Sequence, residues 1–191
     1  MTITLQKRTD QRIILQGTWE KFRLIQQAAA DSPGVRLAYS DQTIEILMPG
    51  EDHEFFAHVI GYLLTTFFLE KGIVFKPTGA KTQEREGQAS AQADQSYCIG
   101  EAKLIPDLSI EVIFTSGSSK LARYQALGVP EVWFWEDGVL ALHRLRASGY
   151  EQVTNSELPG LDQLDIALLS RCILLAETDF SGAVQTFRQG I

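Results

Sequence analysis

Apolar residues recur at helical spacing in four parts of the chain. Over residues 51–71 they return every three or four positions, which predicts a long helix that Gly72 ends. A shorter helix is predicted over residues 18–31, with Thr18 as its N-cap, and another over residues 116–127. The stretches LDQLDIALLSRCILLA and TDFSGAVQTFRQG predict a C-terminal helical region.

Strand patterns occupy the intervals between these helices. VRLAYSDQTIEILMP alternates apolar and polar residues on both sides of Ser40-Asp41-Gln42, which predicts a hairpin although the turn lacks glycine. IVFKPT and ADQSYCIG predict short strands, and LSIEVIFT is rich in β-branched residues, as buried central strands are. PEVWFWED and VLALHRL predict a second hairpin across Asp137-Gly138, followed by a short strand in GYEQVT. The polar segment GAKTQEREGQASAQ is expected to be a mobile loop or a strand with a long exposed end.

The order of these elements favours an α/β fold with a mixed sheet and helices on its faces. The 191 residues suit one domain, and 45% hydrophobic with 21% charged residues is an ordinary globular composition. No apolar run is long enough to span a bilayer, and MTITLQKRTDQ has no signal-peptide core. A cytoplasmic protein without a membrane partner is therefore expected. Cys98 and Cys172 are far apart and are expected to be buried thiols.

The net charge of −7 argues against non-specific affinity for nucleic acid. It leaves a nuclease possible, because a basic channel and bound metal ions can act against an acidic average.

Two carboxylates stand around an apolar run in IPDLSIEVIFTSGSSK, residues 105–120. Burying a carboxylate costs free energy unless a partner compensates its charge. Asp107 and Glu111 are four residues apart, so both face the same side of a strand, about 13 Å apart at roughly 3.3 Å per residue. Asp107 is thus expected to support the site or to be structural, since it is too far away to share a metal ion with Glu111 unless the strand bends.

A family resemblance spans about residues 35–145. It is carried by PDLSIEV, a Ser/Gly turn, a lysine and a tyrosine four residues apart, and GVPEVWFW. With KPTGAKT and QADQSYCIG upstream, the chain resembles the restriction-endonuclease-like family abundant in cyanobacteria, a former domain of unknown function within the PD-(D/E)XK nuclease superfamily. The resemblance implies an αβββαβ core with a mixed central sheet, an extra N-terminal hairpin and helix, and C-terminal helices. The core helix would span residues 51–71, the strands would lie near 73–82, 95–99 and 108–114, and the helix at Lys120 would lead into a strand at Val132.

The same resemblance implies an endonuclease that hydrolyses DNA with Mg²⁺ or Mn²⁺. Asp94 and Glu111 match the two metal-binding acids, and the backbone carbonyl of Val112 would add a third oxygen. Lys120 matches the catalytic lysine, although the segment between Glu111 and Lys120 is shorter than in most members. Two positions depart from the pattern: Ala93 replaces a proline before Asp94, and Ile113 stands where the wider superfamily has its lysine.

Three further residues are expected near this site. Glu54, at the start of the long helix, would accept a proton or bind a metal ion through water. Its neighbour His53 is a supporting candidate, with a solvated or packing histidine as the alternative interpretation. Tyr124, one turn after Lys120, would help to position that lysine, or simply pack.

Each assignment has a structural alternative. Asp94 alone fits a solvated turn, Glu111 an edge residue or a buried ion-pair partner, and Lys120 a surface helix residue. A catalytically inactive binding or regulatory module of the same fold is therefore the alternative function, and an enzyme acting on RNA or on transposon ends is a third. A homodimer is expected, with the VWFW hairpin and the C-terminal helices as its contact surfaces.

Overall fold

The computed structural model describes residues 9–114 and 118–191. The helices in this part of the chain are α1 (Trp19–Ala28), α2 (Glu51–Glu70), α3 (Ser118–Leu127), α4 (Ile166–Leu175) and α5 (Phe180–Gly190), with a 3-10 turn over Leu161–Gln163. The strands are β1 (Gln11–Gln16), β2 (Arg36–Ser40), β3 (Thr43–Met48), β4 (Phe75–Pro77), β5 (Thr82–Arg85), β6 (Ala89–Gln92), β7 (Gln95–Ile99), β8 (Leu108–Ile113), β9 (Glu131–Glu136), β10 (Val139–Arg146) and β11 (Gly149–Val153).

These strands form two sheets. The larger sheet has the order β11-β10-β9-β8-β7-β4, and only the β8–β9 pair within it is parallel. Helix α3 makes the crossover between those two parallel strands. The smaller sheet is antiparallel throughout, in the order β1-β3-β2-β6-β5. The mixed α/β architecture implied by the sequence is confirmed.

One face of the larger sheet packs on α2 and α4, and α5 packs against these two helices. Leu108, Ile110 and Val112 of β8 point to this side because alternate residues of a strand share a face. The long helix lies close to β7: a Cβ at Gly61 would come within 2.9 Å of the end of the Gln95 side chain. This packing places the N-terminal end of α2 against the edge of the sheet where β7 begins and β8 ends.

The opposite face of the larger sheet packs on α3 and on the smaller sheet. Ile113 of β8 joins Tyr124 and Leu127 of α3 on this side, together with alanines at 89, 91 and 93. Small side chains let β6 approach α3 closely. Glu111 has the same parity as Ile113, and so its carboxylate enters the space between the two sheets rather than the apolar layer under α2.

Most of the expected elements are confirmed. Thr18 accepts a hydrogen bond from the Lys21 N–H and caps α1. Both hairpins turn through residues with positive φ, at Asp41-Gln42 and at Asp137-Gly138. The Ser/Gly turn before α3 and the expected helix start at residue 116 fall on residues 115–117, outside the described part.

Three expectations were incomplete or wrong. The polar segment expected to be a mobile loop or a strand with a long exposed end forms the β5–β6 hairpin of the smaller sheet, where Gln83 and Ser90 are buried. Strand β1 had not been anticipated. Trp133, Phe134 and Trp135 of the VWFW hairpin are buried inside this chain and offer no surface to a dimer, whereas Val139 of the same hairpin is 61% exposed. Cys98 and Cys172 are buried free thiols, as expected.

No helix in the described ranges is both long enough and apolar enough to cross a membrane.

Candidate active site

Glu111 and Lys120 form a buried ion pair between β8 and α3. The Lys120 Nζ donates to Glu111 Oε2 at 2.6 Å, and the two side chains are 8% and 4% exposed. The hydroxyl of Tyr124, one turn further along α3, donates to the other oxygen, Oε1. Burial, together with the negative charge and the hydrogen bond of Glu111, raises the pKa of Tyr124 well above its ordinary value, so it remains a donor. Lys120 and Tyr124 both bond Glu111, as their positions on one helix face allow.

Asp94 lies directly before β7 and is as deeply buried as Glu111. Its backbone N–H donates to the Ile110 carbonyl at 3.0 Å, which fixes it beside β8. Its Oδ2 accepts from the Val112 N–H at 2.6 Å, so the carboxylate lies against the backbone that follows Glu111. The buried Ala93 occupies the position of the expected proline within the apolar layer under α3.

His53, in the first turn of α2, bridges two carboxylates. Its Nε2 lies 2.8 Å from Asp94 Oδ1, and its Nδ1 lies 2.9 Å from Asp10 Oδ2. The side chain is only 1% exposed, so the interpretation of His53 as a solvated or merely packing residue is wrong. Burial alone would raise the pKa of Asp10, but hydrogen bonds from His53 and the Gly50 N–H, with the charges of His53 and Lys120, outweigh it and lower that pKa.

Arg36, the first residue of β2, contacts the same carboxylate. Its Nη1 forms an ion pair with Asp94 Oδ1, and its Nη2 donates to Glu54 Oε1 at 2.6 Å. Glu54 is 56% exposed, whereas the Arg36 side chain is 15% exposed. Glu54 is thus joined to Asp94 through Arg36, at the outer edge of the site.

A second group of buried charges adjoins Lys120. Glu45 of β3 accepts from Arg123 of α3 at 2.6 Å and pairs with Arg12 of β1 at 2.9 Å. Burial would raise the pKa of Glu45, but the charge and hydrogen bond of Arg123, with the charges of Lys120 and Arg12, lower it. The Nε of Arg123 is buried and has no hydrogen-bond partner among the residues that the structure describes.

We call these side chains together the charged cluster; its members are Asp10, Arg12, Arg36, Glu45, His53, Asp94, Glu111, Lys120 and Arg123. Apart from the histidine, four carboxylates face four cations, which compensates the cost of burying them. Two small cavities adjoin it: one of about 50 Å³ beside Asp10, Arg12 and Lys120, and one of about 10 Å³ between Arg36, Glu111 and Lys120. The larger has room for a few water molecules.

Asp107 lies apart from the cluster. It directly precedes β8, accepts from the Ile99 N–H at 2.8 Å, and pairs with Lys103 at 2.7 Å. These bonds tie the loop after β7 to the start of β8. The structure thus gives Asp107 the structural role that was one of its two expected roles.

The donor chemistry at Asp94 and Glu111 suits a hard divalent cation. Mg²⁺ is commonly held by one or two carboxylates and keeps several of its waters, so two acids with a backbone carbonyl are sufficient. Within residues 9–114 and 118–191, no group of three or more His, Cys, Asp or Glu side chains is arranged to hold a metal ion. A metal ion would therefore rely on these two carboxylates and would have to compete with their present basic partners.

Sequence reasoning missed Asp10, Arg12, Arg36, Glu45 and Arg123. Arg36 is the first residue of β2, and Glu45 lies within β3. Both strands belong to a predicted hairpin, where charged residues ordinarily face solvent. Their signal is visible only after β2 and β3 are placed against α3. Asp10 precedes a strand that had not been anticipated, and so nothing marked it as a partner of His53.

Comparisons with known proteins identify the family of this chain. A family model described as "Uma2: Putative restriction endonuclease" matches residues 19–174. A solved structure from Anabaena variabilis ATCC 29413, described as a putative nuclease belonging to DUF820, superposes with a TM-score of 0.53 over 72% of this chain and 90% of that chain. Its sequence is 16% identical, so this likeness concerns the fold. A search of curated proteins gave no match.

The family match runs from the first residue of α1 almost to the end of α4 and contains Asp94, Glu111 and Lys120. Asp10 and Arg12 lie outside it. The chain belongs to the Uma2 family of putative restriction endonucleases.

Proposed function

We propose that the protein is a metal-dependent endonuclease that hydrolyses phosphodiester bonds of DNA at the site formed by Asp94, Glu111 and Lys120. The buried Lys120–Glu111 pair carries this proposal. A lysine that served only solubility would extend from the helix into water, whereas this one is held against an acid between the two sheets. Asp94 accepts a hydrogen bond from the N–H of Val112, the residue that follows Glu111 in β8.

Asp94 and Glu111 would hold Mg²⁺ or Mn²⁺, together with the Val112 carbonyl oxygen. Bound there, the ion would supply positive charge for the phosphate and a water of lowered pKa. Lys120 would hold its proton at Nζ, orient the attacking water and neutralise charge that develops on the phosphate. Tyr124 would fix the orientation of Glu111 through its hydrogen bond.

The outer residues take supporting roles in this proposal. His53 would hold Asp94 in place through Nε2. Glu54 is exposed and bonded to Arg36, which suits a residue that handles protons or water at the entrance rather than a direct metal ligand. Asp107 would keep the β7–β8 connection in place.

The test is cleavage of supercoiled plasmid DNA in Mg²⁺, in Mn²⁺ and in EDTA. The wild type should nick DNA only with metal, and Glu111→Ala and Asp94→Asn should each reduce the rate by at least about 10²-fold, as loss of a group that stabilises transition-state charge does. Asp107→Asn is the matched acid outside the cluster and should retain most of the activity. A parallel assay on single-stranded RNA separates the DNA from the RNA substrate. If the protein cleaves neither DNA nor RNA in the presence of a metal ion, the proposal is overturned.

A second candidate function is a catalytically inactive module that binds nucleic acid or regulates a partner. The observation that favours it is that both oxygens of Asp94 already have partners: they accept from His53 and Val112 and pair with Arg36. This module would retard DNA in a gel without cleaving it, and its binding would not depend on Mg²⁺.

We also propose that the chain forms a homodimer through the surface beside α4. Val139 and Leu174 are 61% and 43% exposed, and both line an open groove between β10, β11 and α4. Sedimentation velocity should show a dimer at micromolar concentration that Val139→Lys dissociates. A wild-type monomer under those conditions would contradict this assembly.

A further inference from the structure

Arg36 occupies the oxygen that a metal ion at Asp94 would need. Its Nη1 pairs with Asp94 Oδ1, which also lies 2.8 Å from His53 Nε2. The other oxygen, Oδ2, accepts from the Val112 N–H. An ionised carboxylate offers about four acceptor positions, so three of them are in use. A cation is thus already bound at Asp94, and this chain supplies it.

A guanidinium and a divalent ion cannot share this place at low cost. Charges of the same sign that lie a few ångströms apart in a partly buried site repel strongly, because little water screens them. Arg36 is 15% exposed and Asp94 is 1% exposed, so screening is weak at this pair. Binding of a metal ion at Asp94 therefore requires that Arg36 move away.

Glu54 is an alternative partner for the guanidinium of Arg36. Its Nη2 already donates to Glu54 Oε1 at 2.6 Å, and Glu54 is 56% exposed at the first turn of α2. A small rotation toward Glu54 keeps the guanidinium paired while it leaves Asp94. Arg36 also lines a cavity of about 10 Å³ together with Glu111 and Lys120, which is too small for a hydrated ion.

We propose that Arg36 is a built-in counter-cation that competes with the divalent metal for Asp94, and that metal binding transfers it to Glu54. This inference rests on the proposed function, since it takes Asp94 as a metal ligand. Arg36 acts as a positioning residue: it compensates the charge of Asp94 while no metal is bound and sets the metal concentration at which the site fills.

The experiment measures Mn²⁺ binding from the electron paramagnetic resonance signal of the free ion, with and without a short DNA duplex. Removal of the competing cation in Arg36→Met should tighten Mn²⁺ binding by at least about tenfold. Arg36→Lys keeps the charge but not the two-pronged geometry, and so its affinity should lie between those of Arg36→Met and the wild type. Arg146→Met is the matched control: Arg146 also bonds two acids, Glu151 and Glu157, outside the charged cluster. It should bind Mn²⁺ as the wild type does.

Glu54→Gln tests the same inference from the opposite side and is insensitive to a folding defect at Arg36, because Glu54 is exposed. Glu54→Gln removes the carboxylate that would accept Arg36. Arg36 should therefore remain paired with Asp94, and Mn²⁺ binding should weaken about three- to tenfold. If the wild type binds Mn²⁺ and neither Arg36→Met nor Glu54→Gln changes the affinity in the stated direction, the inference fails while the proposed function stands. If no variant binds Mn²⁺ even with DNA, both are overturned.

Discussion

Lys120 Nζ lies 2.6 Å from Glu111 Oε2, and both side chains are at least nine-tenths buried between β8 and α3. A buried pair of this kind contributes little net stability compared with apolar side chains of the same volume. Removal of one partner costs much more free energy, however, because the remaining buried charge has no water to solvate it. The pair is therefore better explained by a chemical role than by the stability of the fold.

Lys120→Met should destabilise the protein strongly. It leaves Glu111 with Tyr124 as its remaining hydrogen-bond donor among those described, and breaking a buried ion pair costs about 3–5 kcal/mol. Urea unfolding followed by circular dichroism gives the free energy of unfolding. DNA cleavage, measured at a temperature where the variant is folded, should also be lost.

The control is Lys103→Met, which breaks a lysine–acid pair near the surface. Lys103 is 46% exposed and pairs with Asp107, and such pairs contribute about 0–1 kcal/mol. If Lys120→Met and Lys103→Met lose similar amounts of unfolding free energy, the burial of Lys120 has no energetic consequence, and the prediction is contradicted.

Alkaline pH should weaken the fold through Tyr97. Burial raises the pKa of Tyr97 to about 12, although a hydrogen bond with Thr65 opposes the shift. The unfolded chain ionises near pH 10, whereas the folded chain keeps the proton, so stability falls as the pH rises from about 10 to 12. A shift of two units corresponds to roughly 3 kcal/mol. Because Tyr124 and Tyr150 also have raised pKa values, Tyr97→Phe should make the dependence of the unfolding free energy on pH less steep in this window without abolishing it, and the exposed Tyr62→Phe should not change it.

The apolar framework could be predicted because it follows from local periodicity. The apolar positions of α2 that recur at helical spacing belong to the core that also contains β8, and the β-branched run of β8 is buried throughout. The α2 positions are Phe56, Val59, Ile60, Leu63, Leu64, Phe67 and Phe68. The β5–β6 hairpin was foreseen only as one alternative, a strand with a long exposed end, because its buried residues are alanine, serine and glutamine, which carry no strand signal. They fit there because β6 lies directly against α3, and that contact is a tertiary one.

The ion pairs of the site depend even more on tertiary structure. Glu45 and Arg123 are 78 residues apart, and Asp10 and His53 are 43 apart. Sequence spacing within one strand or helix does not reveal such partners. The three residues Asp94, Glu111 and Lys120 could be identified only because a family resemblance connected them, and their grouping in one cluster agrees with that assignment.

Acid should weaken the fold through Glu45. The pKa of Glu45 is lowered in the folded protein, since Arg123, Lys120 and Arg12 outweigh the effect of burial. The unfolded chain binds a proton first as the pH falls, so this contribution is present above about pH 4.5 and is lost below it. The free energy of unfolding of the wild type should fall through this range.

Glu45→Gln should remove part of that dependence. It should also cost about 3 kcal/mol at neutral pH, because Arg12 and Arg123 then lack their common carboxylate. The comparison is made by urea unfolding from pH 3 to pH 7. A wild type and a variant with parallel pH profiles would show that Glu45 has the same pKa in both states.

Asp10 should stabilise the start of α2 and the orientation of His53 together, although it lies outside the residues matched by the family. Its Oδ1 accepts from the N–H of Gly50, the N-cap of α2, at 2.9 Å, and its Oδ2 faces His53. Asp10→Ala leaves a buried imidazole nitrogen without that partner and should cost about 2–3 kcal/mol. Asp10→Asn should cost less, because its amide oxygen still accepts from Gly50.

Asp179→Ala provides the comparison for Asp10, since Asp179 caps α5 in an exposed position by accepting from the Gly182 N–H at 2.8 Å. Loss of that ordinary cap should cost about 1 kcal/mol. The excess loss in Asp10→Ala measures the contribution of the bond to His53. This excess should be accompanied by slower DNA cleavage, because His53 then holds Asp94 less firmly. Equal losses of stability in the two alanine variants, with unchanged cleavage by Asp10→Ala, would reduce Asp10 to a helix cap.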